Sequence, residues 1–386
     1  MNIRRIESFQ VPPRWILVRV ETSDDRVGWG EAIFPKRVRA VRGAIADMAA
    51  NIAGAPAGAI EDLWQRLYRG GFFRRGPVLM TALAAIEQAL WDIKGRRYGL
   101  AVHEFFGGPV RHSIRAYAGI GGEDAERLVA EARARKAAGY RAVKFSPTGP
   151  LHYLDDYERV ESAVRNVAAV REALGPDFGI ALDFHGRVHR AMAKILLREL
   201  EPLHPLWVEE PLLPEHGDLL AELAGSSSIP LAAGERLVDR WDFKAVFEAR
   251  ALAIVQPDVS LTGIHELEKI SRMAEAYDCA VAPHCPNGPL SLAATLQVDA
   301  AVPNAVWQEQ SLNLPYNRGA EGPASVQPGD YLTNPAVLTP VDGALAIPPG
   351  PGLGVEVDEA RVRAADRAWQ VSDMAWRNAD GTLAEW

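Results

Sequence analysis

The sequence has little cysteine and no long apolar segment. Only two cysteines, Cys279 and Cys285, occur among 386 residues, which is too few for a disulfide framework and favours a reducing compartment. No apolar run of about 18 residues is present, as a transmembrane helix would require, and the N-terminus lacks the apolar stretch of a signal peptide. These features predict a cytoplasmic protein that does not associate with a membrane.

Basic residues are also in the minority. The chain has 42 Lys and Arg against 50 Asp and Glu, a net charge of −8, and contains no dense basic run. This balance disfavours nucleic acid and anionic membrane as partners, so neither is expected. It does not disfavour an anionic small molecule, because a bound divalent cation reverses the local field.

The first hundred residues have the pattern of strands followed by helices. Alternating apolar and polar residues over 3–11 and 15–23 predict two strands. Apolar residues at three- and four-residue spacing predict helices over 40–54, 59–72 and 77–99. Strands followed by helices indicate an α+β domain, with expected boundaries 1–111.

After Gly108 the pattern changes to eight short apolar runs separated by seven helical segments. The runs cover 114–120, 141–146, 179–186, 206–211, 230–237, 253–260, 279–285 and 304–310. Buried strands that alternate with helices predict parallel βα units, and eight of them can close into a barrel. An open doubly wound sheet is the alternative that this pattern allows.

Ionisable residues stand at the ends of these runs, where barrel enzymes place their active sites. From the second run to the eighth they are Lys144 with Ser146, Asp183 with His185, Glu209, Glu235, Asp258, His284 and Glu309. Asp183, Glu209 and Glu235 end three consecutive runs and suit a hard divalent cation such as Mg²⁺, which prefers oxygen ligands. Each one alone could instead cap a helix or pair with a lysine, but clustered buried carboxylates repel each other unless a cation compensates them.

Asp258 and His284 end neighbouring runs. A carboxylate on one imidazole nitrogen fixes the tautomer and raises the basicity of the other nitrogen, so this pair predicts a proton-abstracting base. Glu210 directly follows Glu209 and should face the other side of its strand, so a structural role is expected for it.

These residues, in this order, resemble the enolase superfamily, and within its mandelate racemase branch they are most similar to the D-galactonate dehydratases. The resemblance covers nearly the whole chain and is carried by separated motifs in the same order. The most specific are GWGEA (28–32), LDFHGRV (182–188), LAAGERL (231–237), QPD (256–258), APHCPNGPL (282–290) and NAVWQEQS (304–311).

The resemblance implies a modified (β/α)7β TIM barrel over 112–312 beneath an α+β capping domain, to which the C-terminal segment 313–386 returns. It implies one Mg²⁺ per subunit on Asp183, Glu209 and Glu235. It also implies an even-numbered homo-oligomer, such as an octamer.

The implied reaction is the dehydration of an aldonic acid, with D-galactonate as the first candidate, to a 2-keto-3-deoxy acid. In that reaction His284, paired with Asp258, removes the proton at C2, and His185 protonates the departing 3-hydroxyl. Lys144 and Glu309 are expected to stabilise the negative charge of the enediolate.

Three segments differ from the family's pattern. The second run ends with Lys144 and Ser146 instead of Lys-x-Lys, which disfavours two-base racemisation. The segment after Asp258 is one residue shorter and lacks a histidine, and the cap loop 32–39 is bulky and basic. These differences leave open a cycloisomerase of a sugar lactone or anhydro-sugar acid, a dehydratase for another aldonic or aldaric acid, and a barrel that only binds acid sugars.

Overall fold

A computed structural model describes residues 1–34, 36–122, 124–311, 328–367, 376–378 and 380–385. Within these residues the strands form two sheets, one three-stranded and antiparallel, the other nine-stranded and mostly parallel. No helix in the described ranges is both long and apolar enough to cross a membrane.

The N-terminal part of the chain forms a small α+β unit, as predicted. Its elements are β1 (Ile3–Val11), β2 (Trp15–Thr22), β3 (Val27–Ala32), α1 (Val38–Ile52), α2 (Ile60–Arg69) and α3 (Pro77–Tyr98). The strands pair in sequence order, and α3 packs both on β3 and on a helix of the second unit. Because α3 is covered from two sides, its buried residues extend around the helix instead of forming one stripe.

Two glycines of the GWGEA motif allow α3 to lie directly on β3. A Cβ atom at Gly30 would stand 2.0 Å from the carbonyl oxygen of Ala85, and one at Gly28 would stand 2.2 Å from that of Ala89. Any side chain at either position would therefore push the helix off the strand. The motif serves the packing of the capping unit.

The second unit is a parallel barrel. Its strands are β4 (Ser113–Gly119), β5 (Ala142–Phe145), β6 (Gly179–Asp183), β7 (Trp207–Glu209), β8 (Leu231–Ala233), β9 (Ile254–Val255), β10 (Ala280–Val281) and β11 (Gln308–Gln310). From β4 to β10 each strand pairs in parallel with the next, and β11 pairs in parallel with β4. Val281 of β10 also forms a parallel bridge to Ala305, which closes the ring.

The helices between these strands complete the (β/α)7β pattern. They are α4 (Ala125–Ala137), α5 (Tyr157–Leu174), α6 (Arg190–Leu200), α7 (Leu220–Ala224), α8 (Arg240–Ala249), α9 (Val259–Ala276) and α10 (Pro289–Ala301). Neighbouring strands follow one another in sequence, whereas a doubly wound sheet reverses its order at a switch point. The barrel prediction is therefore confirmed, and the open-sheet alternative is wrong.

One predicted strand end is wrong in detail. Residues 259–260 were expected to continue the strand run 253–260, but they begin α9, and Asp258 is the N-cap residue that accepts a hydrogen bond from the Ser260 amide at 2.7 Å. A short apolar run has the same pattern in a buried strand and in the first turn of a buried helix, so periodicity alone does not separate them.

The C-terminal segment contacts both units. Strand β12 (Ala344–Ala346) pairs antiparallel with β4, and α11 (Glu359–Ala365) packs on β1 of the capping unit. Further on, the Trp376 ring lies over the Arg187 guanidinium beside the barrel mouth, 4.3 Å away. Residues 313–327, 368–375, 379 and 386 of the predicted segment 313–386 lie outside the described residues, and the boundaries 1–111, 112–312 and 313–386 stay predictions.

A buried carboxylate of the capping unit joins it to the barrel. Glu31, at the end of β3, accepts hydrogen bonds from the backbone amides of Gly288, Leu290 and Ser291 at 2.6, 3.1 and 3.4 Å. Its Oε1 also accepts one from the Ser291 hydroxyl at 3.0 Å. These amides are at the start of α10, where unpaired N–H groups favour an anion. Burial nevertheless raises the pKa of Glu31 to about 7.

We expect Glu31→Ala to lower the free energy of unfolding by about 3 kcal/mol, because it leaves several buried amides at the start of α10 without an acceptor. Urea denaturation followed by circular dichroism measures the change. Glu248→Ala is the control. Among the described residues Glu248 forms an ion pair only with Lys244, and that pair is exposed, so the substitution should change the value by less than about 0.5 kcal/mol. A loss below about 1 kcal/mol for Glu31→Ala would contradict the proposed link between the units.

Candidate active site

The structure gathers the predicted residues at one rim of the barrel. Lys144 and Glu309 lie within β5 and β11, and Asp183 and Glu209 end β6 and β7, where they are register partners. The other four stand two or three residues beyond their strands, namely His185, Glu235, Asp258 and His284. Because all these strands run in the same direction, their carboxyl ends open on one shared mouth.

Asp183, Glu209 and Glu235 together offer three oxygen ligands. One carboxylate oxygen of each lies within 4.8 Å of those of the other two. Their side chains are almost fully buried, with exposed fractions of 2%, 1% and 9%. The Oε2 atom of Glu235 is buried and accepts no hydrogen bond from the described residues. A cluster of oxygen donors that includes a buried oxygen without a hydrogen bond fits a hard divalent cation such as Mg²⁺.

Lys144 supplies a positive charge inside this cluster. Its ammonium lies 2.5 Å from Glu209 Oε1, 2.9 Å from Glu309 Oε1 and 3.4 Å from Asp183 Oδ2. Burial alone would lower the pKa of Lys144, but Glu209, Glu309 and the other anionic neighbours outweigh it and raise the pKa well above its ordinary value. Lys144 is therefore a fixed cation that stabilises negative charge, and it is not a base at neutral pH.

The three carboxylates of the cluster differ in the direction of their pKa shifts. Burial raises the pKa of Glu209 to about 7 and also raises that of Asp183. For Glu235 the opposing charges of His284 and Lys144 outweigh burial and lower the pKa to about 2. A cation that binds all three must therefore displace protons from part of the cluster near neutral pH.

His284 and Asp258 form the predicted pair. The Nδ1 atom of His284 lies 2.8 Å from Asp258 Oδ2, and its Nε2 atom points towards Glu235 Oε2 at 3.4 Å. The second oxygen of Asp258 accepts hydrogen bonds from the Ser260 amide at 2.7 Å and from Asn287 Nδ2 at 2.8 Å. Asp258 is thus held from two sides, and it orients the imidazole so that Nε2 faces the carboxylate cluster.

The surroundings of His284 favour its imidazolium form when the cluster holds no cation. Burial would lower the pKa of His284, but Glu235, Glu309 and Asp258 outweigh it and raise the pKa to about 10. Among these charges, that of Glu235 raises the pKa of His284 most. A cation bound to the Glu235 carboxylate would offset this charge and lower the pKa of His284 again.

His185 lies on the other side of the cluster. Its Nδ1 atom is 2.9 Å from Ser146 Oγ, and its Nε2 atom is 3.2 Å from Asp183 Oδ2. Its backbone φ of 52° is in the left-handed region, which a non-glycine residue adopts at a cost, and its amide donates to Asp183 Oδ1 at 2.8 Å. Burial lowers the pKa of His185 to about 4.

The sequence predicted the face on which Ser146 lies but not the residue that it contacts. The two-residue spacing from Lys144 predicts that Ser146 faces the same side of β5. The structure adds that its hydroxyl meets the imidazole of His185, a contact that spans two strands. A serine in place of a second lysine thus pairs with a histidine of the next strand.

Several further residues at the rim were not singled out from the sequence. Gln256 Nε2 and Trp207 Nε1 both donate to Glu209 Oε2, at 2.7 and 3.1 Å. The guanidinium of Arg236 donates to the His185 carbonyl. Gln256 and Arg236 lie inside the QPD and LAAGERL motifs, while Trp207 precedes Glu209 by two residues and shares its face of β7.

Glu210 was expected to have a structural role. Its Oε1 accepts a hydrogen bond from the Gly234 amide at 2.9 Å, directly before Glu235. Glu210 directly follows the last residue of β7, and its side chain holds the loop that carries Glu235.

Two domain families match this chain. Residues 10–107 match the mandelate racemase/muconate lactonizing enzyme N-terminal domain, and residues 127–361 match the enolase C-terminal domain-like family. A D-galactonate dehydratase from Ralstonia nicotianae is 45% identical over 390 residues, and the match covers 100% of both chains. A D-galactonate dehydratase from Xanthomonas euvesicatoria pv. vesicatoria is also 45% identical with the same coverage.

Solved structures agree with this match. An enolase from Agrobacterium radiobacter with bound sodium and L-malate superimposes with a TM-score of 0.91 at 28% identity, and the match covers 100% of both chains. A mandelate racemase/muconate lactonizing enzyme from a Sulfitobacter species superimposes with a TM-score of 0.87 at 30% identity over 96% of each chain.

We expect the protein to bind Mg²⁺ about tenfold more tightly at pH 8 than at pH 6, because Glu209, with a pKa of about 7, must lose its proton to act as a ligand. Isothermal titration calorimetry with MgCl₂ measures the affinity. Glu235→Gln should weaken binding about 100-fold because it removes a charged ligand. Asp258→Asn is the control and should stay within about threefold, since Asp258 lies behind His284. Affinity that does not change with pH would contradict the assignment of Glu209 as a ligand.

Proposed function

We propose a function for this chain from its family: it belongs to the mandelate racemase/muconate lactonizing enzyme family of the enolase superfamily. The proposed activity is the Mg²⁺-dependent dehydration of an aldonic acid, with D-galactonate as the first candidate, to a 2-keto-3-deoxy acid. The full-length similarity to D-galactonate dehydratases supports the substrate class.

One observation carries the proposal, namely that the two histidines flank the carboxylate cluster. His185 Nε2 lies 3.2 Å from Asp183, and His284 Nε2 lies 3.4 Å from Glu235. Elimination of water needs one group that removes the proton at C2 and another that protonates the leaving hydroxyl at C3. A substrate held between the two imidazoles meets both groups.

The chain's own residues divide the chemistry among them. Nε2 of His284 removes the C2 proton, and Asp258 on Nδ1 stabilises the imidazolium that forms. Lys144 stabilises the charge that develops on the substrate oxygens. Glu309 lies 2.9 Å from the Lys144 ammonium, and the charges of Lys144 and His284 outweigh burial and lower the pKa of Glu309, so it holds that ammonium in place as a carboxylate. A divalent cation on Asp183, Glu209 and Glu235 supplies Lewis-acid stabilisation of a carboxylate.

His185 completes the elimination. It donates a proton to the 3-hydroxyl, which leaves as water while the C3–O bond breaks and the C2–C3 double bond forms. The resulting enol takes up a proton at C3 and becomes the 2-keto-3-deoxy acid. Ser146 holds Nδ1 of His185, so that Nε2 stays directed towards the site.

The protonation states that this reaction needs differ from those of the cation-free site. With pKa values of about 10 and about 4, His284 is charged and His185 neutral there. The mechanism requires the reverse at the start of turnover. His284 would lose its proton more easily with a cation on Glu235, and an anionic substrate beside His185 would raise the pKa of that imidazole. Loading of the site would therefore favour the protonation states that the elimination needs.

An even-numbered homo-oligomer is proposed as well. Phe72 and Phe73, in the loop between α2 and α3, are 93% and 87% exposed and pack edge to face with ring centroids 5.3 Å apart. Adjacent exposed aromatic rings are typical of a surface that another protein covers. A cytoplasmic location is proposed as well, because two cysteines in 386 residues favour a reducing compartment.

We expect a screen of aldonic and aldaric acids with Mg²⁺ to give a 2-keto-3-deoxy product from D-galactonate, detected with semicarbazide. The reason is the pair of histidines on opposite sides of the cluster. Glu235→Gln is the inactive control for contaminating activity. A product without a 2-keto group would indicate cycloisomerisation, and no turnover of any acid sugar would leave a barrel that only binds them; either result contradicts the proposal.

We expect His284→Asn to abolish exchange of the C2 proton with deuterated solvent, followed by NMR, because it removes the base. His185→Asn should retain exchange and lose dehydration by at least about 100-fold, because it removes only the acid. Circular dichroism checks that both variants are folded. Exchange that persists in His284→Asn would show that the base is assigned to the wrong histidine.

A further inference from the structure

The two oxygens of Glu209 have different surroundings. Oε2 accepts two hydrogen bonds, from Gln256 Nε2 at 2.7 Å and from Trp207 Nε1 at 3.1 Å. Oε1 accepts its hydrogen bond from Lys144 Nζ, at 2.5 Å. A carboxylate oxygen has two lone pairs in the carboxylate plane, so Oε2 is saturated by neutral donors, while among the described residues Oε1 has one donor and retains one lone pair.

The orientation of the Gln256 amide follows from chemistry. Its side chain is 1% exposed, and Glu209 is fully buried. If the amide were turned over, its carbonyl oxygen would face the carboxylate oxygen at hydrogen-bond distance, and the two would repel. The NH₂ group must therefore face Glu209, and Gln256 acts there as a donor.

Trp207 is a second rigid donor. The indole lies in the barrel interior with no exposed surface, and it packs edge to face against Tyr117 with ring centroids 5.3 Å apart. A large ring packed in this way cannot rotate without a cavity, so the direction of its N–H group is set by the packing. Trp207 lies on β7, and Gln256 directly follows β9. Lys144, Asp183 and the loop of Glu235 are on other strands, namely β5, β6 and β8.

We propose that Gln256 and Trp207 are positioning residues that fix Glu209 by its Oε2 atom and leave Oε1 as the oxygen offered to the divalent cation. The inference rests on the Mg²⁺ site of the proposed function and goes beyond it, because it assigns the ligand atom and the residues that orient it. Groups that orient metal ligands in this way commonly contribute to affinity without touching the ion.

The test measures Mg²⁺ binding to the purified full-length protein by isothermal titration calorimetry at pH 8. Gln256→Met keeps the length of the side chain and removes the donor, and it should raise the dissociation constant about 10- to 100-fold. Trp207→Phe keeps an aromatic ring and removes the N–H group, and it should raise the constant in the same direction.

Gln297→Met is the matched control. Gln297 is fully buried in α10, away from the cluster, where its Oε1 accepts from the His103 amide at 3.2 Å and its Nε2 donates to the carbonyls of Pro348 and Leu353 at 3.3 Å. The same substitution there should lower the melting temperature and leave the Mg²⁺ dissociation constant within about twofold, because the metal ligands are untouched.

The outcomes separate this inference from the function on which it rests. If the wild type binds Mg²⁺ and both Gln256→Met and Trp207→Phe bind it equally well, the positioning role is overturned and the metal centre stands. A loss in Gln297→Met as large as that in Gln256→Met would also overturn it, since destabilisation would then explain the loss. If the wild type itself binds no Mg²⁺, both the proposed metal centre and this inference are contradicted. Should Gln256→Met fail to fold by circular dichroism, Trp207→Phe decides.

Discussion

The organisation of this protein depends on the compensation of negative charge inside the barrel mouth. Asp183, Glu209, Glu235 and Glu309 are nearly buried within one rim, where water screens their repulsion poorly. Lys144 is the buried cation that touches three of them. One ammonium does not balance four carboxylates, so the rim keeps a surplus of negative charge. That surplus favours a divalent cation and, while none is bound, keeps His284 protonated.

Two buried carboxylates of the capping unit are also compensated, in this case by backbone amides of the barrel. Glu31 accepts the amides at the start of α10, and Glu87 accepts those of Ile264 and His265, both at 2.8 Å, after the left-handed Gly263 interrupts α9. Both carboxylates come from the capping unit, and both face helix ends of the barrel. The first of these helices follows the loop of His284, and the second follows Asp258. The capping unit is therefore fastened next to the proposed base.

The proposed chemistry and the fold meet in the strand order. Consecutive parallel strands place the proposed acid on β6, the cation ligands on β6 to β8 and the proposed base beyond β10, so that the two histidines approach the cluster from different sides. A carboxylate bound between them would meet Lys144 and the cation on its oxygens. The proposed reaction class thus follows from which strand carries which group.

The sequence by itself determined the barrel and the members of the rim. Eight apolar runs separated by helices specify parallel βα units, and the carboxyl ends of parallel strands meet at one mouth, so Lys144, Asp183, Glu209, Glu235, Asp258, His284 and Glu309 could be placed there from their positions alone. The end of the run at 253–260 was missed, because a buried strand and the first turn of a buried helix are both apolar.

Only the tertiary structure decided how these groups contact one another. Spacing along a strand predicts the face on which a side chain lies, but it does not specify which atom of a neighbouring strand that side chain meets. The pairing of Ser146 with His185, and of Gln256 and Trp207 with one oxygen of Glu209, depends on rotamers and on packing across strands that are far apart in sequence. The same packing, through burial and neighbouring charges, sets the pKa values of the two histidines in the cation-free site.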